Sequence, residues 1–411
     1  MAINILVESH FKDSIWCRQL LKSIIDEATA RRYEVNIISS DEVDQTDFDA
    51  IFHDSTERRL LFCICDTLKI LSQANSLIQH KNIHLVLINH TFFNPIEKHS
   101  CISMDFSGAV KNIIDYLNTS GRDKIALYGV NPSSTTDLIK QITFNDCMKS
   151  RNPEYNGDSV FYNKASLKEC FESFLPRISE YNAIVCANDI VAISLLNMMK
   201  EIGLRVPQDY FVISFGDTIL SKIYSPTLTN VSVNLSAIGE QSVYLYSYLK
   251  KREAYVSASI AIHSSLFIRE STNGFSAEAE ASSDYLPFGD DSIPTQEASS
   301  TSNHTYSQKS SFYHNINFYD DPFATEILKV EDLLCSLNKF DVDILASLLN
   351  RESTAHIAET LYSSQQSISY RIKRMCQVIG CDNKTQLLET LSKYVSSDGL
   401  KAYKPNPEYR I

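Results

Sequence analysis

One stretch, Asn182 to Asp217 (NAIVCANDIVAISLLNMMKEIGLRVPQDYFVISFGD), constrains the fold most, because it reads as a complete strand, polar turn, helix, turn and strand. Ala183 to Cys186 form a short apolar run, and Asn188-Asp189 offer an N-cap before Ala192, Leu195, Leu196, Met199 and Ile202, which fall at helical spacing. Gly203 supplies a stop, Pro207 keeps the helix from restarting, and Phe211 to Phe215 form a second buried strand. A polar residue at the C-terminal end of a strand in an open α/β sheet faces the crevice where such sheets bind ligands. Asn188 holds that place.

The same alternation fills the N-terminal half. Strands are expected at 3–7, 34–38, 60–65 and 83–88, with helices at Ile15 to Arg32 and Leu68 to Ile78, the rhythm of a parallel sheet covered by helices. After Met104-Asp105 a helix carries Val110, Ile113, Ile114 and Leu117 on one stripe. Strands at 124–129 and 159–162 and helices at 136–148 and 167–178 complete a second α/β lobe. The helix Ser236 to Lys250 is expected to return to the first lobe.

Composition narrows the function classes. At 411 residues the chain is long enough for two or three domains. Neither a signal peptide nor a membrane-length apolar run is present, so a cytoplasmic protein with no membrane partner is expected. The ten cysteines lack a CxxC pair and read as reduced, buried hydrophobes. Cys63 and Cys65 are the one close pair, on one face of a strand. No zinc-type His/Cys spacing occurs, and no metal or cofactor is expected. A net charge of −12 excludes a chain that coats nucleic acid indiscriminately, although a basic face on one domain remains compatible with DNA. With no GxSxG, GxGxxG or P-loop, and only eleven glycines, an enzyme reading has no support.

Four strings in order, CANDIVA, GLRVPQD, VISFGD and SPTLTNVSVNLSAIGE, resemble the effector domain of the lac-repressor (LacI/GalR) family, and SMDFSGAVKNIIDYLNTSGRDKIALYGV and SLFIREST extend the likeness. The resemblance implies a two-lobed, periplasmic-binding-protein-like α/β domain of parallel sheets with flanking helices over residues 1–272, and a small polar effector such as a sugar. It also implies ligand contacts at Asp105, Lys140, Tyr162, Asn188 and Leu235. Lys140 stands where the family has an arginine that grips sugar hydroxyls; it keeps the cation but loses the planar fork. Gly216-Asp217 replaces the family's usual acidic pair. Asp105 equally suits an N-cap, and Tyr162 and Leu235 equally suit the core.

Residues 273–322 are rich in Ser, Thr, Asn, Asp and Glu; eight acids against Lys309 leave them at −7, the composition of a flexible, disordered acidic linker. From 323 to 411 the chain is again helical. Val342 to Leu349, a helix capped by Ser353 or Thr354, a third from about Gln366 to Val378 and Lys384 to Tyr394 form a helix-turn-helix pattern around Ser363-Ser364. This segment resembles the LuxR-type helix-turn-helix at Ile344, Leu345, Leu348, Ile357, Ala358, Leu361, Ser367, Ile368, Ile372, Ile379, Gly380, Thr385, Gln386 and Leu387. It departs at His356, where that family has glutamate, and at Arg351, where glycine is common. Gln365, Gln366, Ser369, Tyr370, Arg371, Lys373 and Arg374 give the third helix amides and guanidinium groups for base edges and cations for phosphates. Five cations against two acids leave Ser364 to Val395 at +3.

The expectation is therefore a transcription regulator, dimeric on double-stranded DNA, whose N-terminal effector domain controls a C-terminal reader. Residue 1 starts at the first strand, so the usual lac-repressor order is reversed. Two alternatives stay open. One is a phosphorylated receiver domain with Asp66 as acceptor; the other is a sensor that acts only in dimerisation.

Overall fold

The computed structural model describes residues 2–9, 12, 14–45, 59–65, 83–88, 99–232, 234–251, 256–272 and 320–405. β1 (Ala2–Val7) leads to α1 (Ile15–Ala30), then β2 (Glu34–Ser39), β3 (Leu60–Ile64), β4 (His84–Ile88) and β5 (His99–Met104). The chain crosses at Asp105 into α2 (Phe106–Thr119), β6 (Ile125–Val130), α3 (Thr135–Arg151), β7 (Val160–Tyr162), α4 (Leu167–Phe174), β8 (Ala183–Cys186), α5 (Asp189–Glu201), β9 (Phe211–Gly216), α6 (Ile219–Ile223) and β10 (Thr229–Ser232). It crosses back for α7 (Leu235–Lys250) and β11 (Ser259–Ile262), and a third time for β12 (Ser265–Phe267).

Two six-stranded sheets result. The first runs β11-β5-β4-β3-β1-β2, all parallel; the second runs β12-β10-β9-β8-β6-β7, parallel but for β12 against β10. A receiver has one such sheet, so the receiver alternative is overturned. Asp66 and the expected helix 68–78 lie outside the described residues. The strands expected from apolar runs stand within one or two residues of their expected bounds; SLFIREST, which resembles the family's closing strand, is a strand only over β12, Ser265–Phe267, and β5, β10 and β11 lie outside the expected strands. As expected, α7 returns to the first lobe, where Ile238, Val243 and Leu249 join Leu20 and Ile24 of α1 in one core.

The helical region comprises α8 (Pro322–Ser336), α9 (Lys339–Leu349), α10 (Thr354–Thr360), α11 (Gln365–Ile379), α12 (Lys384–Ser392) and α13 (Ser397–Ala402). Polar caps set these bounds: Asn338 and Asp341 form a reciprocal capping box on α9, Ser353 caps α10, Ser364 caps α11, and Gly380 ends α11 in the left-handed region. Arg351 adopts φ +65°, which is the physical reason a glycine suits that place.

The hydrophobic core of the second lobe continues into this region. One cluster joins Ile193, Leu196, Leu220 and Ile223 to Ile327, Val330 and Leu334 of α8, and through them to Ile368, Ile372 and Met375 of α11. The approach is close enough that a Cβ on Gly399 would meet the Ile223 carbonyl oxygen at 2.5 Å. Asp321, expected in the linker, instead caps α8 through the Phe323 and Ala324 amides and accepts the Leu167 amide of α4 at 2.8 Å. On the other side of residues 273–319, Thr272 is buried in the same lobe, its hydroxyl 2.6 Å from that of Thr229 and bonded by the Tyr116 hydroxyl. Among the described residues no helix is long and apolar enough to cross a membrane, and no three His, Cys, Asp or Glu side chains gather to hold a metal ion.

Candidate functional site

Three crossings between the lobes place Asp105, Leu235 and His263 at the hinge, and the C-terminal ends of the parallel strands face the cleft. Asp105 caps α2 by accepting the Gly108 amide at 2.8 Å, while its side chain remains 35 % exposed and faces His263 Nδ1 at 3.9 Å. Asn188 caps α5 by accepting the Val191 amide at 3.0 Å and stays partly exposed at the end of β8. Each cap bond uses one side-chain oxygen, Asp105 Oδ1 and Asn188 Oδ1.

Lys140 is placed differently from the expectation. It is 5 % exposed, donates to Asp137 Oδ1 at 2.9 Å and to the Ala187 carbonyl at 2.8 Å, and lies over the rings of Phe106 and Phe215. A buried ammonium needs such partners, and these bonds tie α3 to the end of β8. The carboxylate partner stands three residues earlier in sequence, one helical turn away. Tyr162 accepts from Gln141 Nε2 at 2.8 Å and carries the Lys164 ammonium over its ring. Leu235 packs against the first-lobe core. Asp105, Lys140, Tyr162 and Asn188 are thus gathered around α3, and Leu235 stands apart on the other lobe.

Asp189, read only as half of a capping pair, organises the loop after β9. Its buried carboxylate accepts the Ser214 hydroxyl, the Asp217 and Thr218 amides at 2.8 Å and the Thr218 hydroxyl at 3.0 Å. Gly216 is required there, since a Cβ would lie 2.6 Å from the Asp189 carboxylate. Asp217, at φ +104°, is paired with Arg269 at 2.9 Å and Lys222 at 3.0 Å. That loop leads into α6, whose first amides, Ile219 and Leu220, donate to Glu331 of α8 at 2.6 and 2.8 Å. Burial pushes the Glu331 carboxyl up to about 7, against the pull of those two amides.

On α11, Ile368, Ile372, Met375, Cys376 and Ile379 are buried, while Gln365, Gln366, Ser369, Tyr370, Lys373 and Arg374 are exposed. Arg371 is half-buried: it pairs with Asp341 at 2.6 Å and stacks over Phe340, which ties α11 to α9. Tyr362, 97 % exposed in the turn before α11, was not singled out.

Two hinged parallel-sheet lobes with a cleft at their strand ends form a periplasmic-binding-protein-like domain. A family model described as "Periplasmic binding protein-like domain" matches residues 114–272. The chain is 29 % identical over 187 residues to the HTH-type transcriptional repressor PurR of Pasteurella multocida, covering 44 % of this chain and 55 % of that protein. It is 24 % identical over 243 residues to catabolite control protein A of Staphylococcus xylosus, covering 58 % and 72 %. The chain therefore spans little more than half the length of the first of these relatives. Among solved structures, the transcriptional regulator CelR–cellobiose complex aligns with a TM-score of 0.57 at 16 % identity, over 66 % of this chain and 84 % of that one. The glucose-bound LacI family regulator CCPA from Weissella paramesenteroides aligns at 0.54 and 19 %, over 66 % and 98 %. Identities this low establish the fold, which is that of LacI-like regulators.

Proposed function

We propose that the protein is a ligand-responsive transcription regulator, not an enzyme: the cleft binds a small polar effector such as a sugar, and α11 reads double-stranded DNA as part of a LuxR-type helix-turn-helix, in a homodimer. The observation that carries this reading is α11 itself, capped by Ser364, buried on one face and presenting amides, a tyrosine and two cations on the other, beside a domain of the fold that regulators share. In this reading the exposed Gln365, Gln366, Ser369, Tyr370, Lys373 and Arg374 face the DNA, and Arg371, paired with Asp341, positions them. Asp105 and Asn188 are the polar ligand contacts.

The test is a binding titration of the full chain against duplexes selected from a random pool and against scrambled versions, at two salt concentrations. Joint replacement of Lys373 and Arg374 by alanine should weaken every duplex and flatten the salt dependence, whereas Gln366→Ala should cost about 1–3 kcal/mol on the preferred site only. Unchanged binding by the double variant sinks α11 as the reader. A thermal-shift screen of sugars, sugar phosphates and nucleosides tests the cleft, with Asp105→Ala and Asn188→Ala expected to abolish the response to any hit.

A further inference from the structure

Helix α8 touches both lobes through adjacent residues. Glu331 reaches the second lobe, where its two oxygens accept the Ile219 and Leu220 amides. Asp332 reaches the first lobe, where it pairs with the Arg18 guanidinium on α1. Both anchor points lie at the cleft ends of their lobes: α1 follows the loop after β1, and α6 follows the loop 216–218 that Asp189 organises after β9. The same helix packs against α11 through the shared core. A hinge rotation that opens or closes the cleft changes the distance between Arg18 and the first turn of α6, which Glu331 and Asp332 of α8 bridge.

The two anchors differ in kind. The Glu331 contact is buried and doubly bonded, so it holds α8 to the second lobe in either lobe arrangement. The Arg18–Asp332 pair has side chains 31 % and 40 % exposed, and Arg18 Nε is buried with no hydrogen-bond partner, so this is the weaker anchor and the one through which movement of the first lobe reaches α8. We propose that α8 is a lever: fixed to the cleft loop of the second lobe by Glu331 and to the first lobe by Arg18–Asp332, it converts lobe closure into a displacement of α11. The proposal rests on α11 being the DNA-contacting helix only for what the movement achieves, not for the movement itself.

Hydrogen exchange on the full-length chain tests it. Wild type is compared with Asp332→Asn and with the exchanged pair Arg18→Asp, Asp332→Arg, each with and without duplex DNA of random sequence at low salt. Coupling is reciprocal, so duplex binding should change exchange in the first turn of α1 by about threefold or more in wild type. Asp332→Asn should lose that response while still binding the duplex, and the exchanged pair should regain it. A response of α1 that survives in Asp332→Asn, or its absence in wild type with duplex bound, overturns the lever. If no duplex binds, the DNA-reading assignment fails separately, and the comparison without DNA decides the lever. Asp332→Asn should then raise exchange along α11 by about threefold, and a change confined to α8 overturns it.

Discussion

The two lobes are built alike and wired differently. Among the described residues, the first lobe packs α1 and α7 against its sheet in a core of its own, and Arg18 of α1 pairs with Asp332 of the helical region, both partly exposed. The second lobe has a core on each face of its sheet, and one of these runs without a break into α8 and α11. The second lobe and the helical region therefore share one core, whereas the first lobe is joined to α8 by a polar contact.

The largest effect should come from cutting the shared core. Leu334→Ala should cost about 2–5 kcal/mol and lower the unfolding of the second lobe and the helical region together, read by hydrogen exchange against denaturant. Leu245→Ala, of similar cost, should loosen the first lobe alone. Separate melting of the second lobe and the helical region in the Leu334 variant would dissolve the comparison.

Next is the pH dependence of the buried clasp. In the unfolded chain the Glu331 carboxyl ionises near its ordinary 4.5, and in the folded chain near about 7. Between those values the folded state holds a proton that the unfolded state has released, so stability falls as pH rises from 4.5 to 7 and levels above. Asp189 raises this carboxyl further and Lys222 lowers it. Glu331→Gln should remove about 1–3 kcal/mol of that decline, measured by denaturant titrations at pH 5 and 7.5. Parallel curves for the two proteins would show that Glu331 does not titrate there.

A smaller effect separates two arginines on α11. Arg371→Ala should lose about 1 kcal/mol of stability through its pair with Asp341, while Arg374→Ala leaves the melting temperature unchanged and acts on duplex binding alone. The smallest is Asp332→Asn, expected to shift stability by under about 1 kcal/mol, because the pair is partly exposed. A larger loss would mean that the first lobe is held rather than hinged.

The elements were legible where local signals agreed. The strand, cap, helix and stop of Asn182 to Asp217 stand as read, and Ser353 and the turn Ser363-Ser364 mark helical bounds that the structure keeps. β5, with His99, Ser100 and Ser103 among its six residues, carries too little apolar signal, although the sheet buries most of it. The carboxylate pairing of Lys140 and Arg371 was not legible, because neither a family position nor a polar helix position says whether a carboxylate already holds the cation. The shared core left one trace: Glu331 sits on the stripe of Ala324, Ile327 and Leu334, where only a buried partner explains a carboxylate.

The anchors at Thr272 and Asp321 have a consequence for the acidic segment between them. Both belong to the second lobe, so whatever path residues 273–319 take, they leave and re-enter the same body. Such a segment is a closed excursion, not a tether, and its length sets no reach for the helical region. Loop-closure entropy changes by only about 0.6 kcal/mol for each doubling of length. A change in its length therefore alters the closure cost between these anchors only slightly.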